Sequence, residues 1–257
     1  MTSAPIRETV TGWYLYGVVP AGGGEAPAAR GVDPEHQLVT IDCGGIAGVA
    51  SQVSLDEFDK STLPERLGDA EWLERKIRAH EQVLEAVHAR TAVVPCRFCT
   101  VYRDEDDLKA FLAAHATALA EALDLVAGRV ELGVKAFTAS EPASAAEQAE
   151  SGRAYLEARR GEQRRREELT ASSSRLAAEL HVRLLSAAED GVVLDLQSRE
   201  AAGRNEEMLF NGAYLVSDRG HFEQTLGSVA REQGELQLEL TGPWPPYNFV
   251  PEELGRG

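Results

Sequence analysis

Arg129-Val130-Glu131-Leu132-Gly133-Val134-Lys135-Ala136-Phe137 decides how the second half of the chain is read. Val130, Leu132, Val134 and Ala136 recur at every second position, which puts them on one face of a β-strand. Downstream come a long helical stretch over about 152–189, strands at 192–197 and 207–217, a helix at about 219–232 and a strand at 235–240. The order β-α-β-β-α-β is that of the ferredoxin-like split βαβ unit. Right-handed crossovers then set both helices on one face of a four-stranded antiparallel sheet.

The long helix changes character along its length. Leu169, Leu176, Leu180 and Leu184 form a stripe suited to lie on the sheet. Upstream, Arg159, Arg160, Arg164, Arg165 and Arg166 interleave with Glu157, Glu162, Glu167 and Glu168, with almost no apolar residue. Residues 153–189 hold eight arginines against six glutamates, in a chain whose formal net charge is −16. A solvated helix face accounts for the pattern. An arm that docks a partner is the functional alternative, with those five arginines as candidate partner-binding residues.

Working back toward the start, Trp13-Tyr14-Leu15-Tyr16-Gly17-Val18-Val19 reads as a strand ended by Pro20, followed by a glycine-rich loop over 20–34. No Lys-Ser/Thr follows the glycines, so they do not form a phosphate loop. Runs at 37–42 and 46–53 flank Cys43-Gly44-Gly45, a hairpin signal. Asp69 caps a helix over about 70–90, whose Leu73, Ile77, His80, Leu84 and Val87 share a face. Thr91-Ala92-Val93-Val94-Pro95 is a short strand. Asp104-Glu105-Asp106-Asp107 opens one further helix carrying Leu108, Phe111, Leu112, Leu119 and Leu123. Carboxylates there face the positive end of the helix dipole, which explains them better than a metal does. The result is an α+β protein of two domains, 1–127 and 128–257, the second ending in an aromatic and proline-rich tail at 241–251.

Composition narrows function. A chain of 257 residues can bury about 70% of its unfolded surface, enough for substantial cores without disulfides or metals. Its acidity opposes nucleic acid and anionic lipid membranes. The opening residues lack the basic and apolar regions of a secretory signal, and Cys43, Cys96 and Cys99 are an odd set, so a cytoplasmic location is expected.

Catalytic chemistry is sparse. Cys96-Arg97-Phe98-Cys99 is a C-x-x-C without a second pair or an H-x₃₋₅-H, so two unlinked thiols are the first reading, with zinc and redox as alternatives. His80 falls on the apolar face of its helix and reads as a buried histidine satisfied locally. Glu81 is turned about 100° away and is not its orienting carboxylate. There is no G-x-S-x-G, Walker motif or H-E-x-x-H, so neither catalytic residues nor a cofactor or metal site are assigned. In Thr241-Gly242-Pro243-Trp244-Pro245-Pro246-Tyr247-Asn248-Phe249 the prolines forbid helix and ladder continuation, while the aromatics require burial or a partner.

That last stretch resembles the C-terminal signature of the gas vesicle protein F/L family, and other segments agree in order. Tyr14-Leu15-Tyr16-Gly17-Val18-Val19-Pro20 resembles the family's opening strand, and His80-Glu81 followed by Val83-Leu84 its central helix. Val94-Pro95-Cys96-Arg97-Phe98-Cys99-Thr100-Val101 resembles a Pro-x-Arg-Phe-Gly-Thr segment, with Cys99 where glycine is usual. Gly152-Arg153-Ala154-Tyr155-Leu156 precedes the long helix, and Ala213-Tyr214-Leu215-Val216 matches a later strand. Leu132-Gly133 departs from the aromatic residue common before Val-Lys. The resemblance implies a two-domain, non-enzymatic accessory protein of gas vesicle assembly. It implies as partners the hydrophobic major shell protein, gas vesicle protein A, and other accessory proteins, with association to the vesicle. Tyr16, His80, Pro95, Arg97, Phe98, Tyr155, Tyr214, Trp244, Pro245, Tyr247, Asn248 and Phe249 are then motif residues with a structural role. A ligand-binding regulatory module is the rival reading, since ferredoxin-like folds host many such sensors.

Overall fold

The computed structural model describes residues 10–22, 26–138, 163, 171–203, 206–233 and 236–250. They form two compact units. The first holds the residues up to Val130 and those from Trp244 onward; the second holds Glu131 to Pro243.

In the first unit, strands β1 (Thr11–Pro20), β2 (Leu38–Cys43), β3 (Ile46–Ser54) and β4 (Val94–Pro95) form a sheet in the order β2-β3-β1-β4. The two-residue β5 (Val101–Tyr102) also pairs with β1. The β2/β3 hairpin closes as expected through Gly44 and Gly45, whose φ of 56° and 101° are open to glycine at no steric cost. Helices α1 (Leu55–Phe58), α2 (Leu63–Leu67) and α3 (Ala70–His88) follow β3, and α4 (Glu105–Ala114) and α5 (Ala116–Val126) follow β5.

Strand alternation feeds two cores. Tyr14, Tyr16 and Val19 pack with Phe58, Trp72, Val83, Leu84 and Val87, the α1 and α3 side. Leu15 and Val18 pack with Leu108, Leu112, Leu119 and Leu123, the α4 and α5 side. Each such burial contributes about 1.5–3 kcal/mol before conformational entropy is set against it. A register shift between Leu15 and Gly17 lets β1 keep both faces filled. A side chain at Gly17 would start 2.9 Å from the Val94 carbonyl oxygen, so only glycine fits there.

Several expectations are corrected. On α3 the buried set is Trp72, His80, Val83, Leu84 and Val87, while Ile77 is 40% exposed. The single helix expected after Asp104 is two, broken at His115, whose backbone leaves the helical region (φ −110°, ψ 9°). Asp104 itself caps α4 by accepting from the Asp107 N–H at 2.8 Å.

The second unit has a sheet in the order β7-β8-β6-β9, from β6 (Val130–Thr138), β7 (Asp190–Val193), β8 (Met208–Val216) and β9 (Leu236–Trp244). Helix α6 covers 171–185, the short α7 (Arg199–Ala202) was not anticipated, and α8 (Arg219–Glu232) starts on an Asp218 cap that accepts from the His221 N–H. Leu180 and Leu184 of α6 are buried, as are Leu132, Val134 and Ala136 of β6. Strand β7 lies earlier than expected because Gly191 leaves room for the ring of Tyr214, whose Cδ1 is 2.8 Å from where a Cβ would stand. Strand β9 runs on through Pro243, which the prolines were expected to prevent. At the end of the sheet order a missing N–H interrupts no ladder on the open side. The tail beyond it, assigned on sequence grounds to the second domain, belongs with the first unit.

Candidate functional site

The motif residues of the first unit converge on His80. Its ring lies among Tyr14 (centroids 5.7 Å), Tyr16 (5.8 Å, stacked) and Phe98 (5.9 Å, edge-on), and it is 1% exposed. Strand β1 supplies Tyr14 and Tyr16 two residues apart on one face, and α3 turns His80 toward them.

The polar atoms form a directed chain. The Tyr14 hydroxyl accepts from the Cys99 N–H at 2.9 Å and lies 3.0 Å from His80 Nδ1. With one proton on the phenol, Tyr14 donates to Nδ1, and the ring proton therefore sits on Nε2. Nε2 faces the Tyr247 hydroxyl at 3.4 Å, and Tyr247 donates to Glu81 Oε1 at 3.0 Å. The Cys96 carbonyl is a further acceptor for the ring. Glu81, set aside on helical geometry, is thus joined to His80 through a tyrosine from the tail.

Burial sets the protonation states. Desolvation lowers the His80 pKa to about 4, outweighing the Cys96 carbonyl, so the ring is neutral at neutral pH. Desolvation raises Glu81, with Tyr247 opposing. The Cys96 and Cys99 thiols are both pushed up to about 12 by burial, which keeps them protonated and poorly nucleophilic. All three cysteines are free.

Tyr16 makes a second anchor. Its hydroxyl accepts from the Val32 N–H at 2.8 Å and lies 2.9 Å from Ser51 Oγ. A Cβ on Gly31 would stand 2.4 Å from that hydroxyl, so glycine lets the loop backbone reach it. Lys76 Nζ donates to the Val32 carbonyl at 2.8 Å and pairs with Glu57 at 2.8 Å. In the second unit the pattern recurs: Tyr214 of β8 lies 3.0 Å from His181 Nδ1 of α6.

The tail closes over the first unit. Pro245, Pro246 and Phe249 are buried; Tyr247 packs on the α3-side core and Val250 on the α4/α5-side core. Trp244 is 42% exposed, and Asn248 and Arg97 are exposed. Pro95 pairs with Gly17 across β1 and β4. Arg159, Arg160, Arg164, Arg165, Arg166 and Tyr155 lie outside the described residues. Sequence reasoning missed Tyr14 and Ser51 as polar partners; the i, i+2 placement of two tyrosines on one strand was the available signal.

Cys99 shows how the turn after Phe98 tolerates a side chain. Its φ of 66° lies in the left-handed region that costs an L-residue about 1–2 kcal/mol. Cys99→Gly should therefore exceed Cys99→Ala in stability by about 1 kcal/mol, since both lose the thiol and only alanine keeps the strain. Urea midpoints followed by tryptophan fluorescence check this; equal midpoints would contradict it.

Comparisons with known proteins agree with this architecture. The family model described as gas vesicle synthesis protein GvpL/GvpF matches residues 12–251. Gas vesicle protein L of Streptomyces sp. (strain CB03234) is 34% identical over 249 residues, covering 92% of each chain. Gas vesicle protein F2 of Halobacterium salinarum is 27% identical, covering 94% of this chain and 93% of that one. Among solved structures, the gas vesicle protein GvpF from Anabaena sp. PCC7120 superposes with a TM-score of 0.69 at 22% identity over 94% of this chain and 96% of that one. GvpF from Microcystis aeruginosa gives 0.65 at 18% identity, over 93% and 99%. At those identities the structures speak for the shared α+β fold alone. A family model spanning almost the whole chain, and a relative above 30% identity over its length, establish that this chain belongs to the gas vesicle synthesis protein GvpL/GvpF family.

Proposed function

We propose that the protein acts in gas vesicle assembly by binding the hydrophobic major shell protein, gas vesicle protein A, and handing it to the growing shell. The family match over residues 12–251 carries this reading. Its relatives are named for gas vesicles, and none of the printed names describes an enzyme. Physical chemistry supports it. Shell subunits present apolar surface and strand edges that aggregate unless covered, and a partner with a net charge of −16 keeps the pair in solution.

In this reading the protein works by contact, without bond-making chemistry, in the cytoplasm and at the vesicle. No helix among the described residues is long and apolar enough to cross a membrane. The hub at His80 serves it by holding the tail in place, because its donors and acceptors satisfy one another. The second unit is read as ferredoxin-like, supported by the strand order β7-β8-β6-β9 with helices between β6 and β7 and between β8 and β9. Arg159, Arg160, Arg164, Arg165 and Arg166 are proposed as partner-binding residues, with the shell protein or another accessory protein opposite.

Co-expression of the tagged full chain with the shell protein tests the reading. Retention of the shell protein on the affinity column is expected, weakened when the five arginines are changed to alanine. An eluate free of shell protein with the wild-type chain overturns it.

A further inference from the structure

Among the described residues, the second unit leaves a strand edge without a partner strand beside exposed apolar side chains. Strand β7 ends the sheet order and, among the described residues, pairs with β8 alone. Val182 (66% exposed) and Leu185 (37%) lie three apart on one face of α6, and Val193 (60%) lies on β7. Leu185 Cδ1 is 3.2 Å from where a Cβ on Gly191 would stand, so this face of α6 abuts β7. Gly191 and Val193 point to the same side of the sheet by strand alternation. Val193 therefore continues the apolar patch of Val182 and Leu185.

The backbone at the edge is equally specific. The Leu194 N–H donates to the Asn211 carbonyl at 2.8 Å. In an antiparallel ladder alternate residues face the partner strand, so Val192 and Leu194 turn toward β8 and Val193 turns its N–H and C=O outward. One step away the Asp190 carboxylate takes the Gly191 N–H at 2.8 Å, which caps that end of the edge.

We propose that the β7 edge at Val193 receives an extended, apolar, carboxylate-free segment of another polypeptide as an added strand. The identification of that polypeptide as the shell subunit rests on the assembly reading above. Outward peptide groups call for a strand, because a helix keeps its own hydrogen bonds. The flanking side chains on the helix side call for apolar residues at alternate positions. Charge selects the rest: residues 182–198 contain Glu189, Asp190 and Asp195 against a single cation, Arg183, whose guanidinium is paired with Glu232. A second copy of this chain pairing edge to edge would bring a second set of these carboxylates beside the first. A neutral or basic strand meets no such opposition.

Two measurements on the full chain test this. In the first, amide hydrogen exchange is followed with a short peptide that alternates valine and threonine between terminal lysines. Slowing of the Val193 amide by about tenfold at saturating peptide is expected, as for a newly bonded N–H. Unchanged exchange at Val193, or protection confined elsewhere, overturns the edge assignment. In the second, shell-protein retention is compared for Val193→Pro, which removes the outward N–H and fixes φ at an edge position, and Val193→Thr, which keeps the N–H. Retention should fall roughly tenfold or more in the proline variant and hold in the threonine variant, both melting near the wild type. Equal retention by all three overturns the edge. Loss of retention by the wild type, with the peptide still protecting Val193, sinks the assembly reading and leaves the edge standing.

Discussion

His80→Ala is expected to destabilise the first unit by about 3–4 kcal/mol. Two effects add. The missing imidazole leaves a void bordered by the rings of Tyr14, Tyr16 and Phe98, and large-to-small changes in such cores cost about 2–5 kcal/mol. The Tyr14 hydroxyl also loses the acceptor for its proton while fully buried, at about 1–3 kcal/mol for an orphaned polar group. The sum is capped because relaxation into the void lets part of each loss be recovered. Trp13 and Trp72 belong to the first unit while Trp244 closes β9, so fluorescence in a Trp244→Phe background reports the first unit's unfolding separately from the second. The expected fall in midpoint is about 10 °C. Adding Tyr14→Phe should cost less in the His80→Ala background than in the wild type, by about 1 kcal/mol, because the orphaned hydroxyl goes with it. A His80→Ala chain that melts within about 1 kcal/mol of the wild type would show that the histidine is a passive filler.

The parts of this architecture that were legible in the sequence are those with local causes. Asp69 and Gly44-Gly45 act through hydrogen bonds or backbone freedom within a few residues, and both behave as read. Strand β6 and helix α8 declare themselves by periodicity. Where local and tertiary causes compete, local reading fails. The Ala-rich run from Glu105 to Val126 has no strong breaker, yet the helix stops at His115, whose Nδ1 lies 2.9 Å from the Phe111 carbonyl. Ile77 fits the apolar face by spacing but is exposed, whereas Trp72, one residue off that spacing, packs on Phe58. A proline breaks a ladder in the middle of a sheet but not at its rim, where Pro243 stands, and position in the sheet order is not written in the strand itself. The His80 hub is the extreme case. Tyr247 lies 167 positions from His80, and no periodicity links residues that far apart. The family resemblance marked both positions; the reason for marking them is the proton chain from Tyr14 to Glu81.

The same hub should make the first unit acid-labile, through a charge that the fold excludes. His80 has an ordinary pKa of 6.5, lowered to about 4 in the folded state chiefly by desolvation. Between those values the unfolded chain binds a proton that the folded one refuses, so stability falls as pH drops from about 6.5 to about 4. The full effect is about 3 kcal/mol, an order-of-magnitude figure for one buried group. Neighbouring groups adjust it. His88 is also lowered by burial and acts in the same direction. Glu81, raised by burial, takes its proton more readily in the folded state and offsets part of the loss at the acid end. Tyr14, Tyr16, Cys96 and Cys99 are all shifted upward from already high values and stay protonated throughout this window. Comparison with His80→Asn isolates the histidine, since asparagine can still accept from Tyr14 but does not titrate. Wild type should be the more stable chain at pH 7, and the gap should narrow by about 3 kcal/mol by pH 4 as the refused proton becomes harder to exclude. Parallel stability curves for the two chains across that range would mean that His80 carries its charge inside the fold, and the Tyr14-to-Glu81 chain of donors would then have to run in the opposite sense.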